Sequence, residues 1–293
     1  MSKGIGNVEY VRQGSEVTMQ GQGALNWGYL YEVSTVKNPK WNIGDRVVTP
    51  DGRSFRYAKS GAACVAGQGA SFYGRTAVSY VVFPAQVAPG PTIWGMTDSA
   101  GKVGDNALTV TVAITDGAAG TGVIAEDELR GGYAVIYGVV ADNADIQQRG
   151  IIGNTAVAAG GGTMTLFLDA SLVKTVTTSF AIEILPNPYA DLRTNLGNEE
   201  GYMGIAGLPA AYVSAASMYF WVQTWGPVWV PAGGGTPGSV AAERQMVFSA
   251  CGALRAHSAA YATTKQYQHA GFIMQRDSSG SGGPPFIMLQ ISP

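Results

Sequence analysis

Along much of this chain apolar and polar residues alternate one for one. In "ALTVTVAIT" (107–115), Leu108, Val110, Val112 and Ile114 fall on one side and Thr109, Thr111, Ala113 and Thr115 on the other. "TMTLFLD" (163–169) repeats the device with Met164, Leu166 and Leu168, and "SFAIEIL" (179–185) with Phe180, Ile182 and Ile184. A period of two is the mark of a strand with one face on a core. Further strand candidates are "TAVSYVVF" (76–83), "GYAVIYGVV" (132–140), "RQMVFSA" (244–250), "HAGFIMQR" (269–276) and "FIMLQIS" (286–292). "GDRVVTPDGRSFRYAK" (44–59) predicts a hairpin, because Pro50-Asp51-Gly52 places proline and glycine where turn dihedrals favour them. Helical periodicity is scarce: "AEDELRGG" (125–132) predicts one acidic helical turn and "PAAYVSAAS" (209–217) another short piece. The pattern predicts an all-β protein of two to three sandwich-like or barrel-like modules with few short helices.

Glycine-rich runs at 117–122, 158–163, 232–238 and 277–285 punctuate the strands; the first three are short enough to be connecting loops, and the fourth sits between two late strand candidates. The expected division is an N-terminal arm plus hairpin region (1–100), a middle β-module (101–197) and a C-terminal β-module (198–293). The joints are placed at "DSAGKVGD" (98–105) and "TNLGNEEG" (194–201). No repeat of fixed period supports a solenoid or a fibrous shaft.

"MYFWVQTWGPVWVP" (218–231) holds Trp221, Trp225 and Trp229 at a helical spacing of four. A helix there would have to cross Gly226-Pro227, where proline lacks its N–H and clashes with the preceding turn. A strand fits better, with Tyr219, Trp221, Gln223 and Trp225 on one face, Phe220, Val222 and Thr224 on the other, and a bend at Gly226-Pro227. Aromatic residues on both faces point to cover on both sides. Three roles compete for Tyr219, Trp221, Trp225 and Trp229: core and inter-module packing, a subunit interface, and an aromatic platform for carbohydrate. The opening "MSKGIGNVEYVRQGSEVTMQGQG" lacks a core pattern, so Tyr10, Val11, Val17 and Met19 are candidate anchors of an extended arm on a neighbouring subunit.

Composition narrows the function. Charged residues are 13% of the 293, about half the usual share, and 41 residues are glycine. The net charge of −2 is scattered, which argues against nucleic acid, since phosphate binding needs a concentrated basic patch. A low-charge surface suits dense association with neighbouring subunits. No stretch approaches the roughly 20 apolar residues of a membrane-spanning helix. No apolar run follows the N-terminal lysine as in a signal peptide, and no Asn-x-Ser/Thr acceptor occurs, so cytoplasmic synthesis is expected. Cys64 and Cys251 are accordingly expected to be unpaired.

Catalytic constellations are thin. His257 and His269 stand in no zinc-binding spacing and read as surface or interface residues rather than general bases. No GxSxG elbow occurs, and "GQGASFYG" and "GAAGTG" fail the phosphate-loop fingerprints. Glu126, Asp127 and Glu128, and Asp142 with Asp145, are candidate calcium ligands by type. Neither group has EF-hand spacing, so solvated acidic loops are the better reading. Paired glycosidase acids come from distant strands and leave no spacing to read. No catalytic residue, cofactor or metal is assigned.

The order "TDGAAGTGVIAEDELRGGYAVIY…QQRGIIGNTA…GGTMTLFLDASL…SFAIEILPNPYADL", followed by "YFWVQTWGPVWV", resembles a module of virion structural proteins of tailed bacteriophages. Head decoration (cement) proteins are among them. "WNIGDRVVTPDGRSFRYAKSGAA" is similar in kind, and the likeness spans roughly residues 40–293. The resemblance implies a non-enzymatic β-rich protein on the outside of a phage capsid, commonly a homotrimer. Its partners would be the major capsid protein and itself, with neither nucleic acid nor membrane, and its place the capsid surface of the virion. The alternatives are a head-fibre or tail-associated receptor- or carbohydrate-binding structural protein, and, less well supported, a β-rich glycosidase or esterase.

Overall fold

The computed structural model describes residues 9–13, 16–20, 27–67, 69–73, 93–97, 101–114, 116, 122–138, 146–177, 180–194, 202–230, 244–248, 252–257, 268–275 and 285–293. The fold is all-β. In chain order the first strands are β1 (Glu9–Gln13), β2 (Glu16–Gln20), β3 (Arg46–Val48), β4 (Ser54–Lys59) and β5 (Ala70–Tyr73), with a 3-10 helix at Trp27–Tyr31. Then come β6 (Ile93–Thr97), β7 (Ala107–Val112), β8 (Tyr133–Gly138), β9 (Gln147–Asn154), β10 (Gly162–Leu168) and β11 (Phe180–Leu185). The last are β12 (Leu192–Arg193), β13 (Tyr202–Pro209), β14 (Tyr219–Trp229), β15 (Gln245–Phe248), β16 (Leu254–Ala256), β17 (His269–Gln275) and β18 (Phe286–Gln290). The strand candidate at 76–83 lies outside the described residues.

The chain divides into two units, not three consecutive modules. One joins residues 1–72 with 189–293, and the other is residues 73–188. The expected joint at 98–105 lies inside the second unit, where Gly101 bridges to Val176 and the Lys102 N–H donates to the Asp105 carboxylate at 2.7 Å. The expected joint at 194–201 falls within the first unit. A reading along the chain assumes contiguous modules; here one unit is inserted into a connection of the other.

The inserted unit is a closed barrel of order β10-β7-β6-β11-β8-β9 with antiparallel neighbours throughout. The alternation read from the sequence builds it. Leu108 stands opposite Leu166, Val110 opposite Met164, and Ile182 opposite Ile136, all of them buried. Ile114, expected on the buried side, lies beyond the end of β7 and is exposed. Two buried amides secure the connections. Asn154 Oδ1 accepts the Leu129 N–H at 2.9 Å while its Nδ2 donates to the Ala125 and Thr155 carbonyls. Gln147 accepts the Val173 and Lys174 N–H groups and donates to the Lys174 carbonyl.

The first unit is a 12-stranded sheet whose main path is β1-β2-β3-β4-β14-β18-β17-β15-β16, with β5, β12 and β13 branching beside β14. The hairpin across Pro50-Asp51-Gly52 forms as predicted, pairing β3 with β4, and Gly52 takes the left-handed φ of 83° that the turn requires. The acidic piece at 125–132 forms hydrogen-bonded turns, with the Glu128 and Arg130 N–H groups donating to the Ala125 and Asp127 carbonyls, but no helix, and 209–217 forms no helix either. At 125–132 the Leu129 N–H goes to Asn154, the Glu128 carboxylate accepts the Ala125 N–H, and Asp127 is left-handed at φ 57°. At 209–217 the Ala210 N–H donates to Trp221 and the Val213 N–H to Cys64, so the backbone donors serve neighbouring segments instead of a helical ladder.

Candidate functional site

Strand β14 decides where the aromatic residues go. Its first part pairs with β4, with Tyr219 opposite Lys59, Trp221 opposite Tyr57 and Gln223 opposite Phe55. The register then slips, and Trp225 stands opposite Ser54. Thr224 is the extra residue of this bulge, and its hydroxyl donates to the Ser292 carbonyl at 2.7 Å. Directly opposed residues share a sheet face, and Ser54 is on the other face from Phe55. The slip therefore moves Trp225 to the face away from Trp221, correcting the expectation that the two point the same way. Beyond Gly226, at φ 97°, the strand continues and pairs with β18, so the expected bend is absorbed within a single strand.

Trp221 belongs to the core. It is 3% exposed and packs with Leu30, Trp41, Val47, Phe55 and Tyr57. The Trp41 ring meets it edge-on at 4.9 Å, Tyr29 edge-on at 5.9 Å, and Tyr57 tilted at 5.2 Å, the geometry aromatic quadrupoles favour. Burial pushes the Tyr57 phenol above its ordinary pKa, against the opposing pull of the Asn38 N–H that donates to it at 3.1 Å. Tyr219 is half-buried, stacked on Tyr57 at 6.0 Å, with the Lys59 ammonium 6.0 Å from its ring. These two aromatics hold the unit together and offer no platform. On the opposite face Phe220 and Val222 join Ala58, Cys64, Ala70, Leu192 and Val213 in a second buried cluster. Expected cover on both sides is thus present in this part of the strand.

Past the bulge that second face opens. Trp225 stands opposite Gln290, Pro227 opposite Met288 and Trp229 opposite Phe286. On the far side of β18, Phe272 stands opposite Met288, and Met274 is the extra residue where the register slips before Phe286. Trp229, Phe272 and Met274 are 50%, 43% and 53% exposed, and the Trp229 and Phe286 rings lie 5.1 Å apart. The alternate residues Ile273, Ile287, Leu289 and Val230 are buried in a third cluster beneath. The result is a largely apolar sheet surface spanning β14, β18 and β17, in which Gln290 stands opposite Trp225 and Gln275 opposite Phe286. His269 stands at its margin, its Nε2 3.4 Å from Gln290 Oε1. Strict alternation flags Phe272, Met274, Phe286 and Met288 as same-face pairs, but which face meets solvent is absent from the pattern.

Tyr10, Val11, Val17 and Met19 do not extend as a separate arm. β1 and β2 form a hairpin, with Tyr10 opposite Met19, and β2 pairs in parallel with β3, with Val17 opposite Val47. The backbone bonds expected toward a neighbouring subunit are made on that side within the chain itself.

Elsewhere the described candidate groups make structural contacts. Cys64 is buried and unpaired, its thiol pushed up to about 12 by burial; Cys251 lies outside the described residues. Asp127 accepts the Asn154 N–H and lies 3.5 Å from Arg130, so it and Glu128 organise the 125–132 turn, while Asp142 and Asp145 lie outside the described residues. Among the described residues no group of three or more His, Cys, Asp or Glu side chains is placed to hold a metal ion, and no helix is long and apolar enough to cross a membrane. Comparison of the chain with protein families, with curated proteins and with solved structures returns no match.

Proposed function

We propose that this chain is a non-enzymatic structural protein of a bacteriophage virion that binds the outside of the assembled capsid and stabilises it. Its partner is the major capsid protein, and it acts as a homotrimer. One observation carries the reading: the apolar surface built by the exposed Trp229, Phe272 and Met274 with the half-buried Phe286 and Met288 on the sheet β14-β18-β17. Solvent-facing aromatic and methionine side chains with charge excluded are the make-up of the centre of a protein–protein interface. A protein that binds the assembled shell across several subunits, and not the free subunits, stabilises the assembly by mass action. A trimer strengthens this, because three weak contacts act together. An uncharged contact gains little from Coulomb attraction, so its affinity falls only modestly with salt.

The test is co-sedimentation with undecorated capsids of the major capsid protein from the same genome, followed by capsid melting. The parent protein is expected to bind and raise the melting temperature at low and high salt. Phe272→Glu with Trp229→Glu is expected to abolish both, while Tyr212→Glu, an exposed aromatic outside this surface, leaves them intact. A parent protein that binds no capsid at any salt, or binds purified tails or glycans instead, overturns the proposal in favour of the tail or fibre reading.

A further inference from the structure

We infer that the barrel is an autonomously folded insert and that the docking surface of the sheet unit persists without it; the second half rests on the function proposed above. Three observations converge. Among the described residues each buried cluster lies wholly within one unit: the barrel cluster around Met164 and Ile182 in one, the clusters around Trp221, Phe220 and Ile287 in the other. The barrel is closed, so its strands complete their own hydrogen bonding and need no edge partner. The chain leaves and re-enters the sheet unit at adjacent points. Leu192 stands opposite Phe72 and Arg193 opposite Ser71, while the Gly61 N–H donates to the Leu192 carbonyl at 2.9 Å.

Opposed residues of an antiparallel pair lie about 4.5–5.5 Å apart. The sheet unit's own pairing therefore fixes both ends of the insert, an arrangement in which a domain is added to a host with least strain. The surface carrying Trp229 and Phe272 is built entirely from β14, β17 and β18, so loss of the barrel leaves it in place.

The tryptophans make this testable in the full chain. Of six, only Trp94 falls in residues 73–188; a Trp94→Phe parent reports on the sheet unit alone. Into it go Ile136→Asp and Ile182→Asp, which set two carboxylates directly opposite each other in the barrel core. Hydrogen exchange read by mass spectrometry, near-ultraviolet circular dichroism and capsid co-sedimentation are compared with the parent. The expected result is loss of protection in β7–β11, retained protection in β4, β14 and β18, an unchanged tryptophan signal and unchanged capsid binding. Protection lost in β4 and β14 along with the barrel overturns autonomy, and a barrel that stays protected overturns the core on which the inference stands. Retained sheet protection with lost capsid binding overturns the docking half. A parent that binds no capsid removes that half together with the proposed function, while the exchange result still decides autonomy.

Discussion

Trp221 and Trp229 share one strand and one chemistry, and the fold gives them opposite roles. Trp221→Ala removes an indole that is 3% exposed and ringed by Trp41, Tyr29 and Tyr57. The neighbours belong to different segments held by their own backbone bonds, so the cavity collapses poorly, and truncation of such a side chain costs about 3–5 kcal/mol. For a unit of this size each kcal/mol lowers the melting temperature by about 2–4 °C, giving a fall of roughly 6–20 °C. Trp229 is 50% exposed. Truncating it forfeits about half of the ~1.5–3 kcal/mol of full burial, near 1 kcal/mol, or roughly 2–4 °C. Far-ultraviolet circular dichroism in thermal and urea titrations measures both through the cooperative loss of backbone β-structure, each variant fitted to its own baselines. Under the proposed function, Trp229→Ala is expected to weaken capsid binding with little loss of stability, whereas the volume-sparing Trp221→Phe leaves binding unchanged. Equal stability losses for the two alanine variants, or a larger loss for Trp229→Ala, would refute the face assignment and the register slip at Thr224 that produces it.

Two further outcomes follow from buried ionisable groups. Burial holds the Asp116 carboxyl above its ordinary pKa, against the pull of the Ala113 N–H that donates to it at 2.7 Å. A folded-state pKa above the unfolded one means that the ionised carboxylate costs stability above that pKa, and that the cost disappears as pH falls through it. Asp116→Asn, which keeps an acceptor for Ala113, is therefore expected to raise barrel stability at neutral pH, with the gain shrinking in acid; a gain that grows as pH falls contradicts this. For Cys64, whose thiol is pushed up to about 12, native protein at mildly alkaline pH is expected to leave it unreacted toward a thiol-titrating disulfide, whereas denaturation exposes it at once. Rapid reaction of Cys64 in the native state, read by peptide mapping, would show that its site opens.

The residues themselves determine the class of this fold and much of its core. Val110, Met164 and Ile182 alternate with threonine, alanine or glutamate, and a period of two admits one solution, a strand with that side inward. Pro50-Asp51-Gly52 likewise dictates its turn, because the backbone angles are local. Three matters were settled only by tertiary structure. Helical character at 125–132 and 209–217 was plausible from propensity, but Asn154 and Cys64, distant in sequence, take the Leu129 and Val213 N–H groups that a continued helix would need. The insertion of the barrel is invisible along the chain, because the pairing of Phe72 with Leu192 is a contact between residues on either side of it. The candidate surface depended most on this level. One extra residue at Thr224 reverses the side on which every later side chain of β14 falls, and such a slip is set by where β4 ends and β18 begins. Alternation predicts that Trp229, Phe286 and Phe272 lie on strands; only the neighbours those strands acquire in space decide that this aromatic face meets solvent while that of Trp221 is sealed.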